Sequence, residues 1–471
     1  MRCRGFWVSL SVLAIGITSN LTASAAAEKP NIIVIVGDDM GYADLGVHGC
    51  KDIPTPHLDA LANAGVRFTN GYVSGPYCSP TRAGLLTGRY QTRFGHEFNP
   101  GGDSPATPKG LPLSEKTIAD RLKAAGYTTG LVGKWHLGNT PEYRPLERGF
   151  DEFFGFLGGA RSYWPDQGAP ILRGDKPVEE KEYLTDAFGR EAVDFIERHR
   201  ESPFFLYLAF NAVHTPMHAT DDRLKEFASI SDPKRRTYAA MMSAMDDAIG
   251  DVLAKVKERG LEDNTLVFFI SDNGGPRLQG TTVNGSENAP LRGSKRTTLE
   301  GGVRVPFFVK WPGKIPAGET FEQPAIQLDF LPTALAAAGV ETSPEWKLEG
   351  VDLLPYLTGA KSEAPHVALY WRFGQQMAIR QGDWKLVKYD PVVDGGRGKA
   401  TAAKLYNLAS DIGETRDLIA DNPEKAAELQ AAWEAWNNDN VPPKWGAGDG
   451  KKKPKARGKN KGKRRAARVG A

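Results

Sequence analysis

The sequence predicts an α/β sandwich with a mostly parallel central sheet, followed by a small α+β C-terminal subdomain with an antiparallel sheet. Over most of the chain, short apolar runs rich in β-branched and aromatic residues alternate with helical segments. This alternation is typical of parallel strands buried between helices. After about Pro365 the strand-like segments become short and precede one terminal helix. That change predicts the second, antiparallel unit.

The elements can be placed in order along the chain. We predict strands at 31–36, 127–133, 204–210 and 265–270, and helices at 56–64, 114–125 and 234–259. Ser114 is the predicted N-cap of the second helix, and Gly126 follows its last residue. In the C-terminal unit we predict strands at 367–372, 377–380 and 384–389, then a helix at 423–437. We assign residues 28–365 to the catalytic α/β domain and residues 366–440 to the α+β subdomain.

The first 27 residues are predicted to be a signal peptide. Arg2 and Arg4 precede an apolar stretch at 6–17, and small residues at 23–27 offer a cleavage site. A retained membrane anchor is the weaker alternative because the apolar stretch is too short to span a bilayer comfortably. The mature protein is therefore expected to be periplasmic or secreted.

The net charge of +3 conceals an uneven distribution of charge. Residues 451–471 contain 11 Lys and Arg and no acid, whereas residues 28–450 contain 47 bases and 57 acids. We predict that residues 441–471 form a disordered basic tail. Electrostatic contact of the tail with an anionic surface is the alternative. Nucleic acid is not expected as a partner, because the chain is predicted to be exported and residues 451–471 contain no aromatic residue.

Polar side chains follow the predicted strands where each strand ends. Asp38 and Asp39 follow the first strand, and Asp272 and Asn273 follow the strand at 265–270. Ligands of open α/β sheets bind beyond the carboxyl ends of the strands. Three carboxylates and an amide are hard oxygen donors that suit Ca²⁺ or Mg²⁺ better than zinc. These residues are our candidate metal ligands.

Basic residues surround the candidate metal site. Lys134 and His136 end the second strand, His214 follows the third, and a cation-rich loop spans 291–296 and includes Lys295. Each residue alone is compatible with an ordinary solvated or structural role. Together with a hard cation, they predict a pocket for a tetrahedral oxyanion ester.

Cysteine is rare in this chain. Cys3 lies in the predicted signal peptide, which leaves Cys50–Cys78 as the one disulfide the mature chain could form. An inert thiol is the other ordinary role for Cys78, because a plain thiolate suits hard-oxygen metal chemistry poorly.

The segment around Cys78 resembles a signature of the type I, formylglycine-dependent sulfatases. Cys78-Ser-Pro-Thr-Arg82 has the C-x-P-x-R form and is followed by Leu85-Leu86-Thr87-Gly88. Residues 126–136 are similar to a second family signature, and the similarity runs in order from about Pro30 to Trp436. Further similar stretches are Asp38-Asp39, His214-Thr-Pro, Asp272-Asn273-Gly, Lys295 ahead of 300–306, and 379–386. Within this family, the chain resembles arylsulfatases and N-acetylgalactosamine sulfatases.

The resemblance implies an alkaline-phosphatase-like fold and a mechanism. Cys78 would be oxidised to Cα-formylglycine by a formylglycine-generating enzyme or an equivalent maturase. Its hydrate would attack sulfur and form a covalent sulfo-enzyme intermediate. One divalent cation, calcium or alternatively magnesium, would be held by Asp38, Asp39, Asp272, Asn273 and the modified Cys78.

The resemblance also implies roles for the basic residues. Asp272 would take the proton of the attacking hydroxyl, and His214 with Lys295 would assist the leaving alcohol. His136 would deprotonate the second hydroxyl as sulfate is expelled. Lys134 and Lys295 would hold sulfate oxygens, and Arg82 would stabilise the formylglycine.

Two further substrate contacts are expected near residues 158–164. Ser162 or Arg161 is the candidate for an additional sulfate contact. Tyr163 and Trp164 either line a sugar subsite or belong to the core.

The resemblance implies a sulfatase that acts on a sulfated carbohydrate, with a galactose-type or galactosamine-type sulfate as the expected substrate. The alternatives are a phosphodiester or phosphonate monoester hydrolase of the same superfamily, and a non-catalytic protein that binds sulfated glycans.

Overall fold

A ten-stranded sheet forms the centre of the molecule. The computed structural model describes Gly5 and residues 29–101, 106–278 and 282–446. The strands are β1 (Asn31–Gly37), β2 (Val66–Phe68), β3 (Gly71–Tyr72), β4 (Thr128–Lys134), β5 (Glu152–Phe156), β6 (Ile171–Arg173), β7 (Lys176–Val178), β8 (Phe204–Ala209), β9 (Thr265–Ser271), β10 (Phe307–Lys310), β11 (Glu319–Phe321), β12 (Ala325–Ile326), β13 (Leu369–Phe373), β14 (Gln376–Gln381), β15 (Trp384–Lys388) and β16 (Lys404–Asn407). The α-helices are α1 (Pro56–Asn63), α2 (Cys78–Thr87), α3 (Ile118–Ala124), α4 (Leu184–His199), α5 (Asp221–Glu226), α6 (Pro233–Glu258), α7 (Glu300–Val303), α8 (Phe330–Ala337), α9 (Leu354–Leu357) and α10 (Pro423–Asn438).

The large sheet has the strand order β11-β2-β10-β9-β1-β8-β4-β5-β6-β7. Its five central strands, from β9 to β5, are parallel. Antiparallel strands flank them, with β10 beside β9 and β6 beside β5. The predicted mostly parallel sheet is confirmed, and the antiparallel β10 was not foreseen from the sequence.

Helices cover both faces of this sheet, which is why its central strands are apolar throughout. All residues of β1, β8 and β9 are buried. Val34 and Phe268 face a core shared with helices α2, α3 and α8, whereas Ile33 and Phe269 face a core shared with α4 and α6. Alternate residues of one strand therefore enter opposite cores.

The helix predicted at 114–125 begins later than expected. The structure starts it at Ile118, so Ser114 is not its N-cap. Thr117 caps it instead: the Thr117 hydroxyl accepts a hydrogen bond from the Asp120 amide at 3.1 Å, and the Asp120 carboxylate accepts one from the Thr117 amide at 2.8 Å. This reciprocal capping box satisfies the backbone amides of both Thr117 and Asp120. Ser114 makes no such contact with the helix. The other predicted strands and helices lie within about two residues of the observed ones.

The four strands β13 to β16 form a separate antiparallel sheet, as predicted. Helix α10 packs on one side of it, with Leu429 against Ile379 and Leu386. Trp371 connects the small sheet to the catalytic domain, because its buried indole donates to the Val73 carbonyl at 2.7 Å.

The ends of the chain lie mostly outside the described residues. Except for Gly5, this holds for the predicted signal peptide at 1–27, and it also holds for residues 447–471 of the predicted tail. The first tail residues are described: the Val441 and Lys444 amides donate to the carbonyls of Thr92 and Gly95 at 3.2 and 2.9 Å. Within the described ranges, no helix has both the length and the apolar character needed to cross a membrane.

We expect the ion pair between His366 and Asp329 to make the free energy of unfolding depend on pH. The imidazole Nε2 lies 2.8 and 3.1 Å from the two Asp329 oxygens. Burial lowers the pKa of His366, but the Asp329 carboxylate raises it more, so the net pKa lies above the ordinary value of 6.5. The contribution of the charged pair is therefore complete below about pH 6.5 and is lost as the pH rises through the folded-state pKa.

The measurement is the free energy of unfolding of the wild type and of His366→Gln, obtained by urea denaturation at pH 6 and pH 9. The wild type should exceed the variant by more at pH 6 than at pH 9. An equal difference at the two pH values would show that the ion pair does not stabilise the fold.

Candidate active site

The predicted site residues converge at the carboxyl ends of four neighbouring strands. Asp38 follows β1, Lys134 ends β4, His214 lies beyond β8, and Asp272 follows β9. Backbone hydrogen bonds extend the sheet past the strand ends: the Asp272 amide donates to Gly37 at 3.0 Å, and the Val213 amide donates to Asp38 at 2.9 Å. Residues far apart in sequence are thereby held side by side.

Helix α2 brings Cys78 and Arg82 to the same place. Cys78 is the first residue of this fully buried helix, and its Sγ lies 3.7 Å from Asp38 Oδ1. Arg82 lies one turn later and therefore on the same face. The partial positive charge of the helix N-terminus is directed at the position of Cys78 and favours an anion there.

The floor of the site contains equal numbers of buried acidic and basic groups. Arg82 donates to Asp272 Oδ2 from Nε at 3.0 Å and from a terminal nitrogen at 2.9 Å. Lys134 Nζ hydrogen-bonds to Asp38, and Lys295 Nζ donates to the two Asp39 oxygens at 2.6 and 2.8 Å. Three carboxylates thus face three basic groups, and this pairing offsets the cost of burying their charges.

Neighbouring charges shift the pKa values of these carboxylates in opposite directions. Burial alone raises the pKa of Asp39, but Lys295 and His214 lower it to about 2. Burial and the nearby Asp38 carboxylate raise the pKa of Asp272 to about 6. The two carboxylates therefore differ in proton affinity, as expected where one of them is to accept a proton.

Two histidines lie beside this charged floor in the neutral form. Burial lowers the pKa of His214 to about 4 and that of His136 well below its usual value. His214 Nε2 lies 3.5 Å from Asp39 Oδ2. A Cβ atom at Gly159 would stand 2.4 Å from His136 Nε2, so only glycine allows the chain to pass this close to the imidazole.

Cys78 is a buried free thiol, and Cys50 is also free. No disulfide joins them. Burial, with a contribution from Asp272, raises the pKa of the Cys78 thiol far above its ordinary value. An unmodified Cys78 would thus be a neutral thiol and a poor nucleophile.

The oxygen atoms of the floor fit a hard divalent cation. Ligand atoms of Asp38, Asp39, Cys78 and His214 lie within 4.8 Å of one another. Asn273 donates from Nδ2 to Asp39 Oδ1 at 2.8 Å, whereas its buried Oδ1 has no hydrogen-bond partner among the described residues. A buried acceptor without a donor is costly unless a cation or a water satisfies it. With Asp272, these oxygens form the donor set that calcium and magnesium prefer.

A cavity of about 390 Å³ opens above this floor. Its lining residues include two cations and two histidines and no acid; they are Tyr77, Asn99, His136, Gly159, Ala160, His214, Thr282, Lys295 and Arg296. The cavity therefore suits an anion. Tyr77, Asn99, Gly159 and Thr282 were not singled out from the sequence, because no motif marks them.

The predicted residues Ser162 and Trp164 do not line this cavity. The Ser162 hydroxyl lies within hydrogen-bonding distance of Gln167 Oε1 and His218 Nδ1, at 3.2 and 3.1 Å, and Trp164 stacks on His218. Arg161 donates to backbone carbonyls, including that of Ala169 at 2.6 Å, and Tyr163 is buried in the core.

The sandwich fold, the carboxylates at its strand ends and the cationic cavity define a hydrolase of anionic esters with an alkaline-phosphatase-like architecture. Residues 30–340 match the family model described as Sulfatase, and residues 293–436 match that described as N-sulphoglucosamine sulphohydrolase, C-terminal. The chain belongs to the sulfatase family and is a sulfuric ester hydrolase. The resemblance noted in the sequence is confirmed.

Curated relatives agree with this assignment. The chain is 38% identical to human (Homo sapiens) N-acetylgalactosamine-6-sulfatase over 385 residues, 77% of this chain and 72% of the relative. It is 36% identical to arylsulfatase A of Bos taurus over 481 residues, 90% of this chain and 89% of the relative. Arylsulfatases and N-acetylgalactosamine-6-sulfatases are thus both among its relatives.

Solved structures show the same architecture. The crystal structure of Ps i-CgsB superimposes with a TM-score of 0.83 at 38% identity, covering 89% of this chain and 95% of that one. The same protein has been solved in complex with k-i-k-neocarrahexaose. The phosphonate monoester hydrolase of Agrobacterium radiobacter shares only the fold, with a TM-score of 0.60 at 20% identity over 87% of this chain and 95% of that one.

We expect calcium to stabilise the protein through the Asn273 oxygen. Calcium that binds the folded state should raise the melting temperature in proportion to the logarithm of its concentration above Kd. Asn273→Ala removes one ligand and should weaken calcium binding by about tenfold or more. The measurements are thermal unfolding and calorimetric titration with CaCl₂ after treatment with a chelator.

The matched control for this calcium experiment is Asp247→Asn. Asp247 lies in a second cluster with His57 and Asp246 and should leave the calcium response unchanged. Loss of the response in Asp247→Asn but not in Asn273→Ala would place the ion elsewhere.

Proposed function

We propose that this protein hydrolyses sulfate esters of sulfated carbohydrates, using Cα-formylglycine at position 78 and one divalent cation, calcium or alternatively magnesium. The observation that carries the proposal is the position of Cys78, buried at the N-terminus of α2 and 3.7 Å from Asp38. When present, the hydrated aldehyde supplies a hydroxyl nucleophile, and the cation provides electrostatic stabilisation of the developing charge.

The metal-binding residues in this proposal are Asp38, Asp39, Asp272 and Asn273, together with the modified residue 78. Their oxygens converge on the floor, and the unpaired Asn273 Oδ1 supports the assignment. A cation held by these carboxylates would compensate their charge, which would leave the amino groups of Lys134 and Lys295 to bind sulfate oxygens.

The chain's own groups move the protons. Asp272 accepts the proton of the attacking hydroxyl, in keeping with its raised pKa of about 6. His214, which lines the cavity beside Lys295, assists the departure of the alcohol together with that lysine. His136 accepts the proton that is lost when sulfate is released. Arg82 holds Asp272 and the Lys134 carbonyl in position, which orients residue 78 one turn away.

A carbohydrate substrate is supported by the relatives. N-acetylgalactosamine-6-sulfatases match most of the chain, and Ps i-CgsB has been solved with an oligosaccharide bound. These support a galactose-type or galactosamine-type sulfate as the preferred substrate. Ser162 as a sulfate contact and Trp164 as part of a sugar subsite stay predictions, and the nearby Gly159 and Ala160 line the cavity.

The proposal includes maturation and export. A formylglycine-generating enzyme or an equivalent maturase would oxidise Cys78 before the helix packs, because this thiol is inaccessible in the folded chain. The predicted signal peptide would direct the protein to the periplasm or the medium. The basic tail would then be available for contact with anionic polysaccharide or membrane.

We expect mass spectrometry to find an aldehyde at position 78. The tryptic peptide spanning 68–82 from a host competent for the modification should carry formylglycine in place of cysteine. Cys78→Ala should lose at least about 10³-fold in kcat/KM towards an aryl sulfate, because the nucleophile is removed. Cys50→Ala is the matched control and should retain activity. An intact thiol in fully active protein would refute the mechanism.

We also expect the enzyme to prefer sulfur over phosphorus. The alternative of a phosphodiester or phosphonate monoester hydrolase shares the fold and is tested by comparing kcat/KM for 4-nitrophenyl sulfate with that for a phenyl phosphonate 4-nitrophenyl ester. The sulfate ester should be turned over faster. A large preference for the phosphorus substrate would favour the alternative.

A further inference from the structure

Arg296 stands at the mouth of the cavity and has no part in the proposed chemistry. It follows the buried Lys295, lines the same cavity and is exposed. Lys295 is paired with Asp39 at 2.6 Å. Among the described residues, no carboxylate forms an ion pair with the Arg296 guanidinium. The charge of Lys295 is therefore compensated by Asp39, whereas the charge of Arg296 faces the solvent at the cavity entrance.

The backbone of Arg296 is held on both sides. Its φ of 72° lies in the left-handed region, which is uncommon for a residue other than glycine. Its amide donates to the Pro76 carbonyl at 2.7 Å, and its carbonyl accepts from Gln376 Nε2 at 2.9 Å. Strained backbone that its surroundings maintain often marks a functional position. The backbone position from which the side chain extends is thus set before any ligand arrives.

The ring of Tyr77 connects this arginine to the catalytic floor. Lys295 Nζ lies 5.4 Å from the centroid of the Tyr77 ring, and the Arg296 guanidinium carbon lies 6.0 Å from the same centroid. Tyr77 immediately precedes Cys78 and lines the same cavity as both cations. The two distances to its ring place the Lys295 and Arg296 charges within about 11 Å of each other.

We propose that Arg296 binds a second anionic group of the substrate, carried on the sugar that bears the scissile sulfate or on an adjoining sugar. The inference rests on the proposed sulfatase function and makes the substrate class a polyanionic oligosaccharide. A second sulfate or a carboxylate supplies the same chemistry, since a guanidinium binds either through paired hydrogen bonds. The cavity lining contains both Lys295 and Arg296 and no acid, so a second anion at Arg296 would meet no repulsion from the lining.

The experiment compares matched oligosaccharides that carry one sulfate, two sulfates, or one sulfate and a uronate carboxylate. The measured quantity is the ratio of kcat/KM for each dianionic substrate to that for the monosulfated one. The wild type should show a ratio of about ten or more, and Arg296→Gln should reduce it about tenfold, chiefly through KM. Arg296→Lys should show a ratio between those of Arg296→Gln and the wild type. Raising the salt concentration should lower the ratio of the wild type.

Arg416→Gln is the matched control. Arg416 is an exposed arginine, 3.9 Å from Asp421 and far along the chain from the cavity, so its loss should leave both the ratio and the activity unchanged. A preference for the uronate substrate alone would identify the second anion as a carboxylate and would support the subsite.

A binding measurement separates this inference from the proposed function. In the Cys78→Ala background, calorimetric titration with the same oligosaccharides should show tighter binding of the dianionic ligand, and Arg296→Gln should remove the difference. If the dianionic ligand binds more tightly but the wild type carrying formylglycine at position 78 does not turn it over, the subsite is supported and the sulfatase proposal is refuted. If the wild type and Arg296→Gln show the same ratio of kcat/KM values and bind each oligosaccharide with the same Kd, the subsite is refuted.

Discussion

The arrangement of the active site depends on the charge balance at the carboxyl edge of the parallel sheet. Burying an isolated carboxylate or guanidinium costs several kcal/mol, on the order of what a whole domain retains as stability. Arg82 and Asp272 avoid this cost by pairing at 2.9 Å, and Lys295 pairs with Asp39. Because each charge requires its partner, the loops after four strands and the first turn of α2 must meet at one place.

The small antiparallel sheet supports the active site from a distance. Lys385 on β15 is fully buried between Glu300 and Glu414, at 2.8 and 2.9 Å, and Glu300 begins the helix that follows the Lys295 loop. Gln376 on β14 accepts from the Thr298 amide and donates to the Arg296 carbonyl. The C-terminal unit therefore holds the loop that carries two cations of the cavity.

Acidic side chains are confined to the floor of this site. The carboxylates of Asp38, Asp39 and Asp272 lie at the floor, whereas the cavity lining above them contains no acid. A hard cation and an anionic ester can consequently occupy neighbouring positions without repelling the side chains around them. The floor suits chemistry common to the family, and the exposed Arg296 at the entrance is where a particular glycan would be distinguished.

Much of the floor could be inferred from sequence, because the carboxyl ends of parallel strands meet at one edge of a sheet. That rule alone brought Asp38, Lys134, His214 and Asp272 together, whereas Cys78 and Arg82 were added by the resemblance of their C-x-P-x-R segment to the sulfatase signature. No sequence pattern could place Ser162 and Trp164 relative to the cavity, or favour Thr117 over Ser114 as the helix cap. The cavity mouth required the tertiary structure, since Tyr77, Gly159 and Arg296 come from separate loops. Their distances depend on how those loops pack, which no local pattern encodes.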